Sequence, residues 1–211
     1  IVTSAGSISV VLYNDTPLHK ANFIEMVNAG TYEGMLFHRV IDDFVIQAGD
    51  PTSKDAEPGA PLGEASAGEE VTSEITPAHI HRKGVLAAAR EGNAENPTRM
   101  SSGSHFYFVK GKVYTPEELE EWGAKIVERR ENEAKTIDDP HFEHRPFALT
   151  EEQIEAYTTV GGTPHLDGEY TIFGEITEGL DVLERIISVE TDENDRPLEN
   201  IVIEKIILLN K

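Results

Sequence analysis

The pattern of apolar and polar residues predicts a mostly β chain with a few helices. Runs rich in β-branched and aromatic residues predict strands at residues 7–13, 84–90, 104–109, 171–176 and 201–209. The last run is dense enough in β-branched residues to pair on both edges. Strands near both ends of the chain favour a closed sheet, because closure leaves no strand with an unpaired edge.

Two helices are predicted among these strands. The first begins at Thr16-Pro17, where threonine suits the N-cap and proline suits the first helical position, and Gly30 can end it. Its expected buried face, from apolar positions that recur every three residues, is Leu18, Ala21, Ile24 and Val27. Residues 179–187 predict a shorter helix with inward side chains at Leu180, Leu183 and Ile187.

Residues 36–50, LFHRVIDDFVIQAGD, predict a β-hairpin that carries a fixed cation. Apolar runs at 36–41 and 44–48 flank Asp42-Asp43, a polar pair suited to a two-residue turn. Arg39 lies in the first run, and its guanidinium needs a partner because it does not lose its proton. This segment alone leaves two interpretations open: a rim arginine facing water or a carboxylate, and an arginine of a binding site.

Residues 51–70 and 110–163 interrupt the strand pattern in different ways. The first is rich in Pro, Gly, Ala, Ser and Glu and predicts a surface loop. The second predicts two helices, because Thr115-Pro116-Glu117-Glu118 and Thr150-Glu151-Glu152-Gln153 each have the form of a capping box. Trp122 follows the first box at helical spacing and must be buried somewhere. We therefore expect the two helices to fold against each other near the mouth of a site around Arg39.

Composition and charge narrow the classes of function. The chain has 211 residues, 38% of them hydrophobic, which suffices for one sizeable domain or one domain with a large insertion. It has no cysteine, so thiol and disulfide chemistry are not available, and no apolar run is long enough to insert into a membrane. The net charge of −21 argues against nucleic acid as a partner, because phosphates attract Lys and Arg.

Four segments together resemble the cyclophilins, the peptidyl-prolyl cis–trans isomerases. Phe37-His38-Arg39 followed by Phe44, Gln47, Gly49 and Asp50 is similar to that family's FHR…F-x-x-Q-x-G-D signature. The segments GVLAAAR at 84–90, GSHFYF at 103–108 and LDGEYTIFG at 166–174 are similar to its later blocks, in the same order. The resemblance covers residues 6–50, 71–109 and 164–209, whereas residues 110–163 stand where the family has a short loop.

The resemblance implies a fold, an activity and a set of partners. The fold is mainly β: a cyclophilin-like closed eight-stranded antiparallel β-barrel capped by two helices. It forms a single domain over residues 1–211, with a helical insertion at about 110–163. The activity is rotation about Xaa-Pro peptide bonds in proteins, which assists folding and needs no cofactor and no metal. The implied partners are proline-containing polypeptides, and we expect a monomer.

The resemblance also implies the residues of the site. Arg39 is expected to stabilise the twisted prolyl amide, with Phe44 and Gln47 as the other catalytic residues. The implied substrate-binding residues are Val45, Ala89, Arg90, His105, Tyr107, His165, Leu166 and Tyr170.

Four of these positions depart from the family's usual pattern. Tyr107 replaces a phenylalanine and adds a hydroxyl that needs a partner. His105 replaces a glutamine, which puts a contact to the substrate backbone in doubt, and Tyr170 stands where many members carry histidine. His165 stands where several members have a tryptophan that contacts cyclosporin, so we expect weak cyclosporin binding.

The spacing of the histidines and serines argues against other chemistries. His79 with His81, and His141 with His144, lack a third ligand at the spacing of a zinc site, so we interpret them as solvated loop histidines. Ser104 and His105 are neighbours on a predicted strand and point to opposite faces, so they cannot form a hydrolase dyad.

Two other functions and the compartment stay open. The chain could be a non-catalytic prolyl-peptide binding or chaperone module, or a barrel whose helical insertion docks a partner. Retention of Arg39, Phe44 and Gln47 favours catalysis over the first.

The chain begins with Ile1 rather than methionine, which fits either removal of a leader or a cut made for other reasons. From this we expect an exported, periplasmic bacterial protein rather than a cytoplasmic one.

Overall fold

The computed structural model describes residues 1–209. Their helices and strands, in chain order, are β1 (Val2–Thr3), β2 (Gly6–Ser7), β3 (Ser9–Leu12), α1 (Pro17–Asn28), β4 (Phe37–Ile41), β5 (Val45–Ala48), β6 (Val85–Ala88), β7 (Phe106–Val109), α2 (Pro116–Thr136), α3 (Glu151–Thr159), β8 (Ile172–Glu178), α4 (Leu180–Ile187) and β9 (Ile203–Lys205). Short 3-10 turns lie at Pro51–Ser53 and Pro164–Leu166. None of the helices in this described part is both long and apolar enough to cross a membrane.

The strands form two antiparallel sheets. The larger sheet has the order β3-β8-β6-β7-β5-β4, and the smaller has the order β2-β1-β9. Two backbone hydrogen bonds connect the sheets near the start of β4: Phe37 N–H donates to the Ile201 carbonyl at 2.9 Å, and Ile203 N–H to the Met35 carbonyl at 2.8 Å. Strand β9 is therefore paired on both edges, as predicted from its dense run of β-branched residues.

The last strand is nevertheless shorter than predicted. The sequence pattern predicts a strand over 201–209, whereas β9 covers only Ile203–Lys205. Its partner β1 is two residues long, so the ladder has no further backbone to pair with. Apolar side chains beyond it are left exposed, with Leu209 at 71%.

Helix α1 buries a different face from the one predicted. It begins at Pro17, and Gly30 at φ +67° follows its end, as expected. Its buried residues are His19 and Phe23, however, and Leu18 is 50% exposed. Steps of three residues fall about 60° short of a full turn each time, so the series from Leu18 to Val27 winds around the helix.

In helix α4, one of the three residues predicted to be buried is exposed instead. Leu183 and Ile187 are buried as predicted, together with Val182 and Ile186. Leu180 is 45% exposed because it lies at the first position of the helix, outside the packed face.

The main core lies between the larger sheet and helices α1 and α4. Its largest fully buried side chains include Phe37, Ile46, Leu86, Phe106, Phe108 and Leu183. Phe23 of α1 packs edge-on against Phe106 at a centroid distance of 5.6 Å. A second group on the other face of the sheet consists of Val45, Val85, Ala87, Tyr107, Val109, Leu166 and Ile172. This second group supports the site.

Residues 110–163, which we call the insertion, contain the two predicted helices, and both capping boxes are formed. In the first, the Glu118 N–H donates to Thr115 Oγ1 at 3.2 Å and the Thr115 N–H donates to Glu118 Oε2 at 2.9 Å. Leu119 of α2 and Tyr157 of α3 are buried together with Tyr114, and Trp122 is half-buried against them. The helices therefore pack against each other, as expected from their apolar positions.

Candidate active site

A cavity of about 170 Å³ opens beside Arg39, on the face of the larger sheet that carries the second apolar group. We call it the Arg39 pocket. Its walls consist of Arg39, Phe44, Val45, Gln47, Ala89, Arg90, Tyr107, Leu166 and Tyr170. These are nine of the eleven residues that the resemblance implied for the site.

Strand pairing brings three of these side chains into one row. Arg39 of β4 is paired with Gln47 of β5, and Gln47 is paired with Tyr107 of β7. Val45 lies two residues before Gln47 and therefore faces the same side of the sheet. The turn between β4 and β5 has three residues rather than the predicted two, because Ile41 pairs with Val45 and Phe44 belongs to the turn. The Phe44 N–H donates to the Ile41 carbonyl at 3.1 Å.

Arg39 is held loosely at the open end of this row. Its side chain is 41% exposed, and Nη1 lies 3.4 Å from Gln47 Oε1. The guanidinium is 5.9 Å from the centroid of the Phe44 ring, and Nε is 3.9 Å from Asp195 Oδ2. Both contacts with oxygen are long, so the guanidinium keeps donors available to a ligand in the pocket.

The far wall of the pocket is fixed by a buried ion cluster. The Arg90 guanidinium lies 4.5 Å from the centroid of the Tyr170 ring, and its Nη2 donates to Glu169 Oε2 at 3.1 Å. Burial alone would raise the pKa of Glu169, but hydrogen bonding and the positive charges of Arg99 and Arg130 lower it. Arg130 belongs to α2, so the insertion takes part in holding this wall.

A buried hydrogen-bonded chain, which we call the Tyr107 network, holds the closed end of the row. Tyr157 Oη donates to Asp167 Oδ2 at 2.6 Å, and Asp167 Oδ1 lies 3.0 Å from His81 Nδ1. His81 Nε2 lies 3.0 Å from Tyr107 Oη. Because a carboxylate only accepts, the proton of a neutral His81 is on Nδ1, and Nε2 accepts from the tyrosine.

The interpretation of His81 as a solvated loop histidine is therefore wrong. Its side chain is fully buried, because Asp167 and Tyr107 supply partners for both ring nitrogens. His79 is half-buried and paired with Asp15, whereas His141 and His144 are exposed as expected. The sequence signal for the network was the tyrosine at position 107, whose hydroxyl required a partner. Within residues 1–209, no three His, Asp or Glu side chains are grouped so as to hold a metal ion.

The two implied residues that do not line the Arg39 pocket are both histidines. His105 Nε2 lies 2.6 Å from the Ala65 carbonyl oxygen, and His105 Nδ1 lies 3.4 Å from Gln47 Nε2. His165 lies behind Phe44, with the two rings stacked at a centroid distance of 5.4 Å. Burial, aided by the charge of Arg129, lowers the pKa of His165 to about 4.

His38, next to Arg39 in sequence, is buried without a hydrogen-bond partner among the described residues. Its ring meets that of His105 edge-on at 5.3 Å. Burial, aided by the neighbouring His105, lowers the pKa of His38 to about 4. His38 is therefore uncharged near neutral pH.

Comparison with models of protein families identifies the family of the chain. A family model described as "Cyclophilin type peptidyl-prolyl cis-trans isomerase/CLD" matches residues 1–207. The chain belongs to this family. Membership places this cyclophilin among enzymes, the peptidyl-prolyl cis-trans isomerases.

Curated bacterial relatives match this cyclophilin over nearly its whole length. A Streptococcus pyogenes protein that carries the name of a bifunctional phosphatase/peptidyl-prolyl cis-trans isomerase is 33% identical over 98% of this chain. The aligned region is 37% of that protein, so the chain spans little more than a third of its length. Proteins of Staphylococcus saprophyticus and Staphylococcus aureus that carry the name of a peptidyl-prolyl cis-trans isomerase are 31% identical, with 97% of this chain and 87% of theirs aligned.

Solved structures share the cyclophilin fold. Two crystal structures of a Cryptosporidium parvum cyclophilin type peptidyl-prolyl cis-trans isomerase, one with the dipeptide Ala-Pro, give TM-scores of 0.63 and 0.64. They are 22% identical to this cyclophilin and cover 100% of it and 98% and 96% of their own chains. The similarity confirms the predicted fold family, mostly β with four helices in the described part of this chain.

Proposed function

We propose that the protein catalyses cis–trans isomerisation of Xaa-Pro peptide bonds in other proteins and thereby assists their folding. The observation that supports this most is the position of Arg39. Its guanidinium stands at the rim of the Arg39 pocket, beside Gln47, with only long contacts to the oxygens of Gln47 and Asp195.

The chemistry requires a donor rather than a nucleophile. Resonance gives the peptide bond a rotational barrier of roughly 18–20 kcal/mol. In the twisted transition state conjugation is lost, and the prolyl nitrogen becomes pyramidal and basic. A fixed donor aimed at that nitrogen stabilises the twisted state more than either planar isomer. Arg39 suits this role because it stays protonated at any physiological pH.

The Arg39 pocket supplies the complementary apolar surface. Phe44, Val45, Tyr107 and Leu166 provide it, and we assign them the substrate's proline ring. Gln47 is placed to orient Arg39 and to bond the substrate backbone. Ala89 and Arg90 border the pocket, and Tyr170 forms the wall beyond. The Ala89 N–H and carbonyl already bond His105 and Ser102, so we assign the pairing with an extended peptide to the Arg90 backbone.

The two displaced histidines receive indirect roles in this proposal. His105 acts through Gln47, since its Nδ1 lies behind that amide and not in the pocket. His165 supports the Phe44 ring from behind. A smaller, polar ring at this position also supports the expectation of weak cyclosporin binding.

We further propose that the barrel is closed by eight strands within a single domain. Strands β2 and β3 are nearly continuous and count as one strand. The bonds from Phe37 to Ile201 and from Ile203 to Met35 join β9 to the start of β4 and support a ring in which β9 lies between β1 and β4. The helical insertion leaves this ring between β7 and β8.

The test measures cis–trans exchange of a short proline peptide by NMR exchange spectroscopy, with wild type and Arg39→Ala compared. We expect exchange to be fast with wild type and to fall about 10²–10³-fold in the variant, the effect of losing one preorganised donor. Arg39→Lys is the matched control and should give an intermediate rate, because it keeps a positive charge but loses the planar fork.

Circular dichroism and thermal unfolding of each variant must show that the fold is retained. If wild type binds the peptide without speeding its exchange, the catalytic proposal is refuted and a binding module replaces it.

A further inference from the structure

A second and larger cleft lies next to the Arg39 pocket, where the insertion meets the hairpin turn. Its volume is about 480 Å³. Its walls include the rings of Phe44, Tyr114, Trp122 and His165, so we call it the Trp122 cleft. Trp122 belongs to α2, so this cleft exists only because of the insertion.

The two cavities share a wall. Phe44 lines both the Arg39 pocket and the Trp122 cleft. His165 stacks on Phe44 at a centroid distance of 5.4 Å, and Trp122 meets His165 edge-on at 5.9 Å. These rings form a continuous aromatic row that leads from the pocket to α2.

Three of the five charged residues that line the cleft are engaged in ion pairs. Lys112 Nζ lies 3.0 Å from Glu118 Oε1, and Asp43 is 3.7 Å from Lys110. The ammonium of Lys112 also lies 4.8 Å from the Tyr114 centroid, and that of Lys125 lies 5.5 Å from the Trp122 centroid. Glu121 and Lys125 also border the cleft, and neither has an ion-pair partner within residues 1–209. Between these edge groups the wall is aromatic surface, which favours a ring or another large apolar side chain.

We propose that the Trp122 cleft is a second binding subsite for the polypeptide whose proline occupies the Arg39 pocket. It takes an aromatic or large apolar side chain of that polypeptide. An extended chain advances about 3.3–3.6 Å per residue. The two steps along the aromatic row therefore correspond to roughly three residues, and the recognised side chain lies about three residues from the proline.

This inference rests on the proposed isomerase function for the identity of the first subsite. It assigns the insertion the task of selecting substrates among exposed prolines by a neighbouring large apolar residue. A side chain that fills the cleft also fixes the direction in which the polypeptide crosses Phe44.

The test uses peptides with one proline, matched in pairs that have Phe or Ala three residues before it or three residues after it. Dissociation constants and exchange rates are measured by NMR with wild type, Trp122→Ala and Val127→Ala. Val127 is an exposed residue of the same helix outside the cleft and serves as the matched control.

In one of the two directions we expect the Phe peptide to bind wild type about five- to tenfold more tightly than its Ala partner, the effect of partly burying one aromatic side chain. The ratio should fall close to one in Trp122→Ala and stay at the wild-type value in Val127→Ala. Equal affinities of Phe and Ala peptides for wild type, in both directions, would overturn the subsite.

A second readout needs no variant, because Trp122 is the only tryptophan of the chain. Titration with the preferred Phe peptide should change its fluorescence with the dissociation constant found by NMR. A change that depends on protein concentration alone would instead assign the cleft to a second copy of the chain and refute the proposal. If no peptide is isomerised, the proposed function fails, whereas the Phe-to-Ala ratio still decides whether the cleft binds apolar side chains.

Discussion

Tyr107 and Arg39 stand at opposite ends of one row of side chains, and the protein holds them in different ways. The Tyr107 end is buried, and each successive pair of the Tyr107 network is joined at 3.0 Å or less. At the Arg39 end, the contacts to Gln47 and Asp195 are 3.4 and 3.9 Å, and the arginine side chain is 41% exposed.

This difference suggests that the Tyr107 end contributes mainly to stability and the Arg39 end mainly to ligand binding. Buried hydrogen-bonded groups are costly to leave without partners, so the Tyr107 network should contribute strongly to the free energy of unfolding. Exposed groups with long contacts contribute little to stability, but they can tighten around a ligand. In the proposed mechanism, this difference would let Arg39 respond to a twisted amide while the pocket floor stays fixed.

The largest stability effect should come from a carboxylate at the Tyr107 end. Asp167→Ala leaves the Tyr157 hydroxyl and two nitrogens of His81 without their acceptor, so we expect a loss of about 3–5 kcal/mol in the free energy of unfolding. Asp195→Ala, which removes the carboxylate at the Arg39 end, should change it by less than about 0.5 kcal/mol. Urea denaturation measures both, and equal losses would remove the contrast.

Acid should reveal the effect of burying His38, whose ring has no hydrogen-bond partner within residues 1–209. The pKa of His38 is lowered by burial to about 4 in the folded protein, whereas the unfolded chain takes up the proton near the usual value of about 6.5. Stability is therefore complete above pH 6.5 and falls as the pH drops towards 4. We expect His38 to account for about 2 kcal/mol between pH 6.5 and 5.

Unfolding of His38→Leu at a series of pH values measures this share. The variant should show a shallower slope than wild type in that range, and His141→Ala, at an exposed histidine, should keep the wild-type slope. Parallel curves for His38→Leu and wild type would contradict the assignment.

The smallest effect concerns a single hydroxyl. Tyr157→Phe removes the donor to Asp167, and we expect it to lower the free energy of unfolding by about 1–2 kcal/mol. Tyr32→Phe is its matched control, since Tyr32 is 2% exposed and its hydroxyl makes no hydrogen bond within residues 1–209. That change should stay below about 0.5 kcal/mol. If thermal unfolding shows a larger loss of stability for Tyr32→Phe than for Tyr157→Phe, the Tyr157–Asp167 hydrogen bond contributes less to stability than its short distance suggests.

Features set by neighbouring residues could be predicted from the sequence. The Asp42-Asp43 turn, the capping boxes at Thr115 and Thr150, and the positive φ of Gly30 depend on chemistry within a few residues. The pocket residues were also accessible, because four short motifs in a fixed order identified them, although their roles stay predictions.

Features set by distant partners could not be predicted. His19 is buried in α1 because Glu74 and Ser101, 55 and 82 residues away, bond its ring. His81 depends in the same way on Asp167, 86 residues away. The pattern of apolar residues around a histidine does not show whether a distant residue will bond its ring. The buried face of α1 and the burial of His81 are therefore not predictable from that pattern.

The pairing of β1 with β9 has a consequence for biosynthesis. A ribosome releases residues 2–3 long before residues 203–205 exist, so the nascent chain exposes the β1 edge for most of its synthesis. A product terminated before residue 200 would keep that edge unpaired and would also lack the bonds from residues 201–203 to the start of β4. Unpaired edges are templates for aggregation, so we expect such truncated products to aggregate more readily than chains that contain β9.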